Sequence, residues 1–152
     1  DLHLSLRRQR QMCIRDRFNA PLIRDFGSNL DILKMKEAAA LFKGVHNFKR
    51  YASKPTENTE FNRDILVSEN ILNNRIESSF APKHSYIFKV RSKGFLRYQI
   101  RLMVGALINV GRGEWSIEDF KETLQNHKGE QIKHIAPSSG LVLQEVYFDL
   151  KK

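Results

Sequence analysis

"GFLRYQIRLMVGALINVGRGEW", residues 94–115, decides the fold. From Phe95 to Val110 it has no proline and a single interior glycine, Gly105, and the pattern predicts a helix. At about 100° per residue, Leu96, Ile100, Met103 and Leu107 form one apolar row. Arg97 and Arg101 open a second row, which Val104 and Ile108 continue. Only Tyr98, Gly105 and Asn109 mark a weaker third side. A helix that is apolar on nearly every side is buried, and Gly111 and Gly113 close it. The two arginines must then emerge at its first turns, between packed elements. A guanidinium cannot shed its charge, so a partly buried one needs an anionic partner, either a carboxylate or a phosphate. The plainer readings are a structural salt bridge or a snorkelling side chain.

The flanks of this helix set the fold class. "LDILKMKEAAALFKG", residues 30–44, reads as an amphipathic helix capped by Asn29 or Asp31 and ended by Gly44. "VHNFKRYASKPTENTEFNRD", residues 45–64, is polar, carries Pro55, and is expected to be a long loop. "ILVSENILNNRI" (65–76) and "HSYIFKVRS" (84–92) read as strands joined by "ESSFAPK". In the second, Tyr86, Phe88 and Val90 alternate with Ile87, Lys89 and Arg91. "SKG" (92–94) turns the chain into the buried helix. "SIEDFKETLQNHK" (116–128) is a further helix, with Ser116 as N-cap and Asp119 three residues on. "LVLQEVYFDL" (141–150) is expected to be a final strand. Helices and strands mix along one chain, which makes the class α+β with a mostly antiparallel sheet packed against helices.

The 152 residues suffice for one domain with a core, and the net charge is +9. That balance favours a polyanionic partner without proving one. Residues 1–17, "DLHLSLRRQRQMCIRDR", hold five arginines against two aspartates and break from the pattern of the rest. They are read as a basic leader, disordered or foreign to the domain, with residues 18–152 as the domain proper. A lone cysteine, Cys13, excludes an internal disulfide. No stretch reaches about 18 consecutive apolar residues, so no membrane span is expected, and there is no apolar signal-peptide core, so the cytoplasm is the expected compartment. There is no nucleotide-binding glycine loop, no Gly-x-Ser-x-Gly elbow and no metal-ligand spacing. Composition and spacing reach a basic α+β domain with a semi-buried arginine row, and stop there.

Taken whole, "FLRYQIRLMVGALINVGRG" resembles the C-terminal half of the tRNA pseudouridine synthase A family. Three other stretches agree in the same order: "MKEAAALFKGVHNFKRY", "WSIEDFKETL" and "IAPSSGLVLQEVYF". The resemblance runs from about residue 22 to residue 149. It implies a pseudouridine-synthase-like C-terminal domain, and isomerisation of uridine to pseudouridine in the anticodon stem-loop of tRNA. It implies a homodimer with the RNA crossing both subunits, no membrane, and no organic cofactor or metal. The family's catalytic aspartate sits in an arginine-threonine-aspartate-alanine-glycine motif of the other half. No such motif occurs in these 152 residues, so the chain alone is expected to be inactive.

Residue by residue, Arg101 matches the arginine that pairs with the family's catalytic aspartate, a two-pronged partner that keeps the carboxylate ionised. Leu141, after Gly140, matches an apolar wall of the target-base pocket. Arg97, Phe95 and Tyr98 flank the same site, with Tyr98 standing where many members have histidine. Arg97 is a candidate phosphate contact. His46 and Asn47, followed by Phe48, match a loop near the RNA cleft. The rival reading is a non-catalytic RNA-binding domain, which predicts the same basic charge but not four family-like segments in register.

Overall fold

Phe42 explains how the elements come together. Its ring meets those of Phe48 (centroids 6.2 Å apart), Tyr51 (5.5 Å), Phe88 (6.2 Å) and Phe120 (4.9 Å). Rings from three segments, around residues 48–51, 88 and 120, thus converge on one aromatic side chain, and the edge-on contacts with Tyr51 and Phe120 add to the burial itself. The computed structural model describes residues 24–27, 29–74 and 85–147. Residues 1–17 and the whole of the 77–83 connection lie outside the described residues, so the expected leader and linker are not described.

Among the described residues the order is α1 (Ile32–Leu41), β1 (Gly44–Asn47), a 3-10 turn (Lys49–Tyr51), β2 (Asn62–Leu72), β3 (Tyr86–Ser92), α2 (Gln99–Gly111) and α3 (Ile117–Gln125). The strands form one antiparallel sheet in the order β1-β2-β3. Helix α1 packs on β2 and on α2, and the class is α+β. The chain divides into two compact units. All of these elements belong to the larger, while residues 137–147 belong to the smaller.

Helix α2 is buried at Leu102, Met103 and at every residue from Gly105 to Gly111. It fits because glycine lets its neighbours approach. A Cβ at Gly111 would lie 2.6 Å from the Met35 sulfur, and the Gly111 carbonyl accepts the Asp31 amide at 2.8 Å where α1 begins. The sheet is pinned from the same side. The buried Ser68 hydroxyl donates to the Ala39 carbonyl at 2.6 Å, which gives α1 and β2 a fixed register at a place where an unpaired hydroxyl would be costly. Asp31 caps α1 through the Lys34 amide. Ser116 and Asp119 form a full reciprocal capping box at α3.

Three sequence expectations need correction. First, α2 begins at Gln99 and not near Phe95. Tyr98 adopts φ +61°, a left-handed conformation that cannot continue a right-handed helix. The turn before it is closed instead by the Gln99 side chain, whose Oε1 accepts the Leu96 amide at 2.8 Å. Second, residues 45–64 are not a long loop. Val45–Asn47 pair with Asn62–Asp64, and Phe48 and Tyr51 are fully buried. Two aromatic anchors three positions apart outweigh the polar letters between them. Third, residues 141–147 form no strand. Leu141, Val142, Leu143, Val146 and Tyr147 are all exposed, Leu143 by 81%. Alternating apolar residues specify a strand only when a partner edge supplies the ladder.

Tyr51 yields a test of the core. Thr123 spends its hydroxyl hydrogen on the Phe120 carbonyl at 2.6 Å, so the Tyr51 hydroxyl is the donor in its bond to Thr123. Burial pushes the Tyr51 phenol above the usual tyrosine value of 10.0. A raised folded-state pKa means that stability is intact below pH 10 and drains away above it, as the unfolded chain ionises first. Tyr51→Phe orphans no donor, so it should cost only about 1 kcal/mol at neutral pH. It should also flatten the loss of urea resistance between pH 9 and pH 11. An unchanged alkaline profile in Tyr51→Phe would contradict the assignment.

Candidate functional site

Helix α2 can carry an arginine only where its burial ends. Arg101 sits in the first turn and is half-buried. Its Nε donates to the Ala136 carbonyl at 2.6 Å, while the Ala136 amide donates to the Arg101 carbonyl at 3.1 Å. The guanidinium carbon lies 4.7 Å from the centre of the Tyr98 ring, within cation–π range. Arg97, exposed one position before Tyr98, reaches the same ring at 5.4 Å. None of the ion pairs among the described residues involves Arg101. One edge of its fork is therefore fixed by a carbonyl, one face lies beside an aromatic ring, and the two terminal nitrogens carry donors for a planar anion.

The carbonyl that holds Arg101 is itself held. Residues 131–136 run along α2 in the direction opposite to the helix. His134 Nδ1 and Asn109 Oδ1 are 2.8 Å apart, the Ile132 amide donates to Arg50 at 3.0 Å, and the Gln131 side chain donates to Ala52 at 2.7 Å. Gly105 makes this possible, because a Cβ there would fall on the His134 carbonyl. The sequence marked Gly105 only as a gap in an apolar pattern. Its function is to let a second backbone lie against the helix two residues from Ala136.

The other expected site residues separate into groups. Tyr98 is 41% exposed and Phe95 37%, both at the loop that precedes α2. The backbone carbonyl of Arg97 accepts the Ser53 amide at 3.1 Å, which ties that loop to the end of the 3-10 turn. His46 Nε2 lies 3.1 Å from the Lys43 carbonyl, and its ring packs edge-on against Phe48 at 6.0 Å. Asn47 accepts the Lys49 amide at 3.1 Å. Both make local contacts, and among the described residues no hydrogen bond or ring contact links them to Arg101. Phe48 is core. Leu141 lies in the smaller unit, 49% exposed, with its amide donating to Ser138 at 3.1 Å. One group that sequence reasoning missed is Gln99. It is fully buried, it caps the loop with its oxygen, and its Nε2 finds no partner among the described residues.

The four sequence segments pointed to one family, and comparison with known proteins agrees on that family. Residues 38–149 match the family described as tRNA pseudouridine synthase. The chain belongs to the tRNA pseudouridine synthase family. It is 35% identical over 133 residues to tRNA pseudouridine synthase A of Staphylococcus carnosus, a match covering 88% of this chain and 46% of the relative. It is 33% identical over 135 residues to the protein of that name from Staphylococcus aureus strain JH1 (89% and 47%). Against that of Aster yellows witches'-broom phytoplasma it is 30% identical over 123 residues (81% and 46%). The chain thus spans about half the length of the curated relatives it matches. Among the described residues, no helix of this synthase-family chain is long and apolar enough to cross a membrane.

Gly105→Ala tests the clamp. The added methyl must push residues 131–136 off the helix, an overpacking change that costs about 1–3 kcal/mol. The urea midpoint should fall with an unchanged slope, and the amide of Ala136 should lose its protection from hydrogen exchange. Retained protection at Ala136 would contradict the clamp.

Proposed function

We propose that this chain supplies the arginine side of a pseudouridine synthase active site, acting on uridine in the anticodon stem-loop of tRNA. The observation that carries this reading is Arg101. It is half-buried, fixed through Nε, and has no carboxylate partner among the described residues. A catalytic aspartate from the other half of the enzyme would complete the pair. The two-pronged contact would keep that carboxylate ionised and oriented toward the ribosyl-uracil. The bond from the sugar to N1 would then break, the base would turn and rejoin the sugar through carbon five, C5 would lose its proton to solvent, and N1 would take one up. Leu141 would form an apolar wall against the extruded uracil. Arg97, with Phe95, Tyr98, His46 and Asn47, would meet RNA along the approach, and Arg97 would take a backbone phosphate.

The same reading expects tRNA as partner and a homodimer in the whole protein. Of the net charge of +9, residues 1–17 hold +3, and the remaining +6 in residues 18–152 supports a phosphate-rich ligand. No arginine-threonine-aspartate-alanine-glycine motif occurs in the 152 residues. The chain alone should then release no tritium from 5-tritiated uridine in tRNA over many turnovers, although it should still bind RNA in a salt-sensitive way.

Grafting the chain in place of the segment it matches in the Staphylococcus carnosus relative separates the roles of the two arginines. In that chimaera Arg101→Met leaves the aspartate unpaired. Single-turnover rate should drop by about 100-fold or more, with a smaller change in tRNA affinity. Arg97→Met should weaken binding more than it slows the reaction. An Arg101→Met variant that reacts at the parent rate while binding tRNA poorly would make Arg101 a phosphate contact and overturn this division.

A further inference from the structure

The far end of α2 carries a second feature, whose Arg50, Arg112 and Trp115 side chains the Arg101 site does not use. Arg112 follows Arg101 by eleven residues, roughly 16 Å along the axis at 1.5 Å per residue. Beside it lies a groove of about 580 Å³ whose lining includes Arg50, Arg112, Trp115, Lys133 and His134. A volume of this order accommodates a nucleotide-sized ligand. The lining is built, because its members are tied to one another. Arg50 donates through Nε to the Glu130 carbonyl at 2.8 Å and lies flat over Gly129, where a Cβ would come within 2.8 Å of its guanidinium. The Trp115 amide donates to the Asn109 carbonyl at 3.3 Å.

The charges in the groove do not cancel evenly. Glu114 pairs with Arg112 at 4.0 Å, and Glu130 pairs with Lys133 at 3.2 Å. Among the described residues, Arg50 is the lining cation left without a carboxylate. Trp115 is half-buried and offers an aromatic face. One unpaired guanidinium and one indole lining the same groove suit one phosphodiester and one base of an RNA strand. A free nucleotide, whose terminal phosphate carries more charge, would call for a more basic and more enclosed site. We propose that this groove is a second RNA contact, taking a single nucleotide with its base on Trp115 and its phosphodiester on Arg50. The proposal rests on the reading of tRNA as partner, and it places RNA at both ends of α2.

Trp115 is the only tryptophan in the chain, so its emission reports on this groove alone. The full chain would be titrated with an anticodon stem-loop RNA and, separately, with uridine monophosphate, while filter retention measures total RNA binding. The stem-loop should quench Trp115 at the concentration at which it is retained. Arg50→Gln should weaken that quenching about tenfold and lower the salt slope by about one. Trp115→Leu, which leaves Arg50 in place, should weaken retention on its own and guards against a folding defect in the first variant. Retention of RNA with Trp115 emission unchanged would sink the groove and leave the Arg101 reading standing. No retention at all would sink both. Quenching by uridine monophosphate as readily as by the stem-loop would make the groove a free-nucleotide pocket and overturn the proposal.

Discussion

Arg101 and Ala136 exchange two hydrogen bonds, one from the Ala136 amide at 3.1 Å and one from the Arg101 Nε at 2.6 Å. Much of the candidate site depends on that exchange. It fixes where the helix emerges from the core, it uses one edge of a guanidinium that would otherwise swing freely, and it fixes which edge remains for an incoming anion. A side chain with many rotamers loses entropy when it is held. Here that loss is met within the chain, before any ligand arrives. A lysine in the same place would keep the charge and lose the planar fork that makes the arrangement directional.

The exchange is possible because of close packing further along α2. Gly105 admits the backbone of His134, and Asn109 holds the His134 ring. Ile132 and Gln131 fasten the same segment to the region of the 3-10 turn. The aromatic cluster around Phe42 then holds that turn and α3 against the sheet. Interiors packed to this density transmit a displacement as strain and do not absorb it. A methyl group at Gly105 is therefore expected to be felt at Arg101, although the two side chains do not touch.

The sequence made the core helix legible because its apolar residues run almost without a break, and it made the helix caps legible because Asp31 and Ser116 are polar residues at the start of periodic runs. It misplaced the start of α2 because the left-handed backbone of Tyr98 leaves no trace in hydrophobic periodicity; only glycine usually advertises that conformation. It misread residues 45–64 because β1 is a short edge whose residues are mostly polar, and strands of that kind are specified by their partner, here Asn62–Ile65. It expected a strand at 141–150 from alternation alone. Within the site, Arg101 was legible as a charge on a buried helix. The carbonyl of Ala136 was not, because a backbone acceptor has no sequence signature. Gln99 was hidden for a related reason. Its capping bond reaches three residues backward into a loop that looked helical.

The most direct test of the central claim is the Arg101 Nε–H itself, followed by proton-detected nuclear magnetic resonance on the chain labelled in arginine nitrogen and alanine carbonyl carbon across a range of pH. A donor held at 2.6 Å to a carbonyl in a half-buried site should exchange with water far more slowly than the Nε–H of exposed Arg97. It should also show scalar coupling across the hydrogen bond to the Ala136 carbonyl carbon. Exchange as fast as that of Arg97, with no coupling to Ala136, would mean that the guanidinium is not pre-set and that the account of the site is wrong.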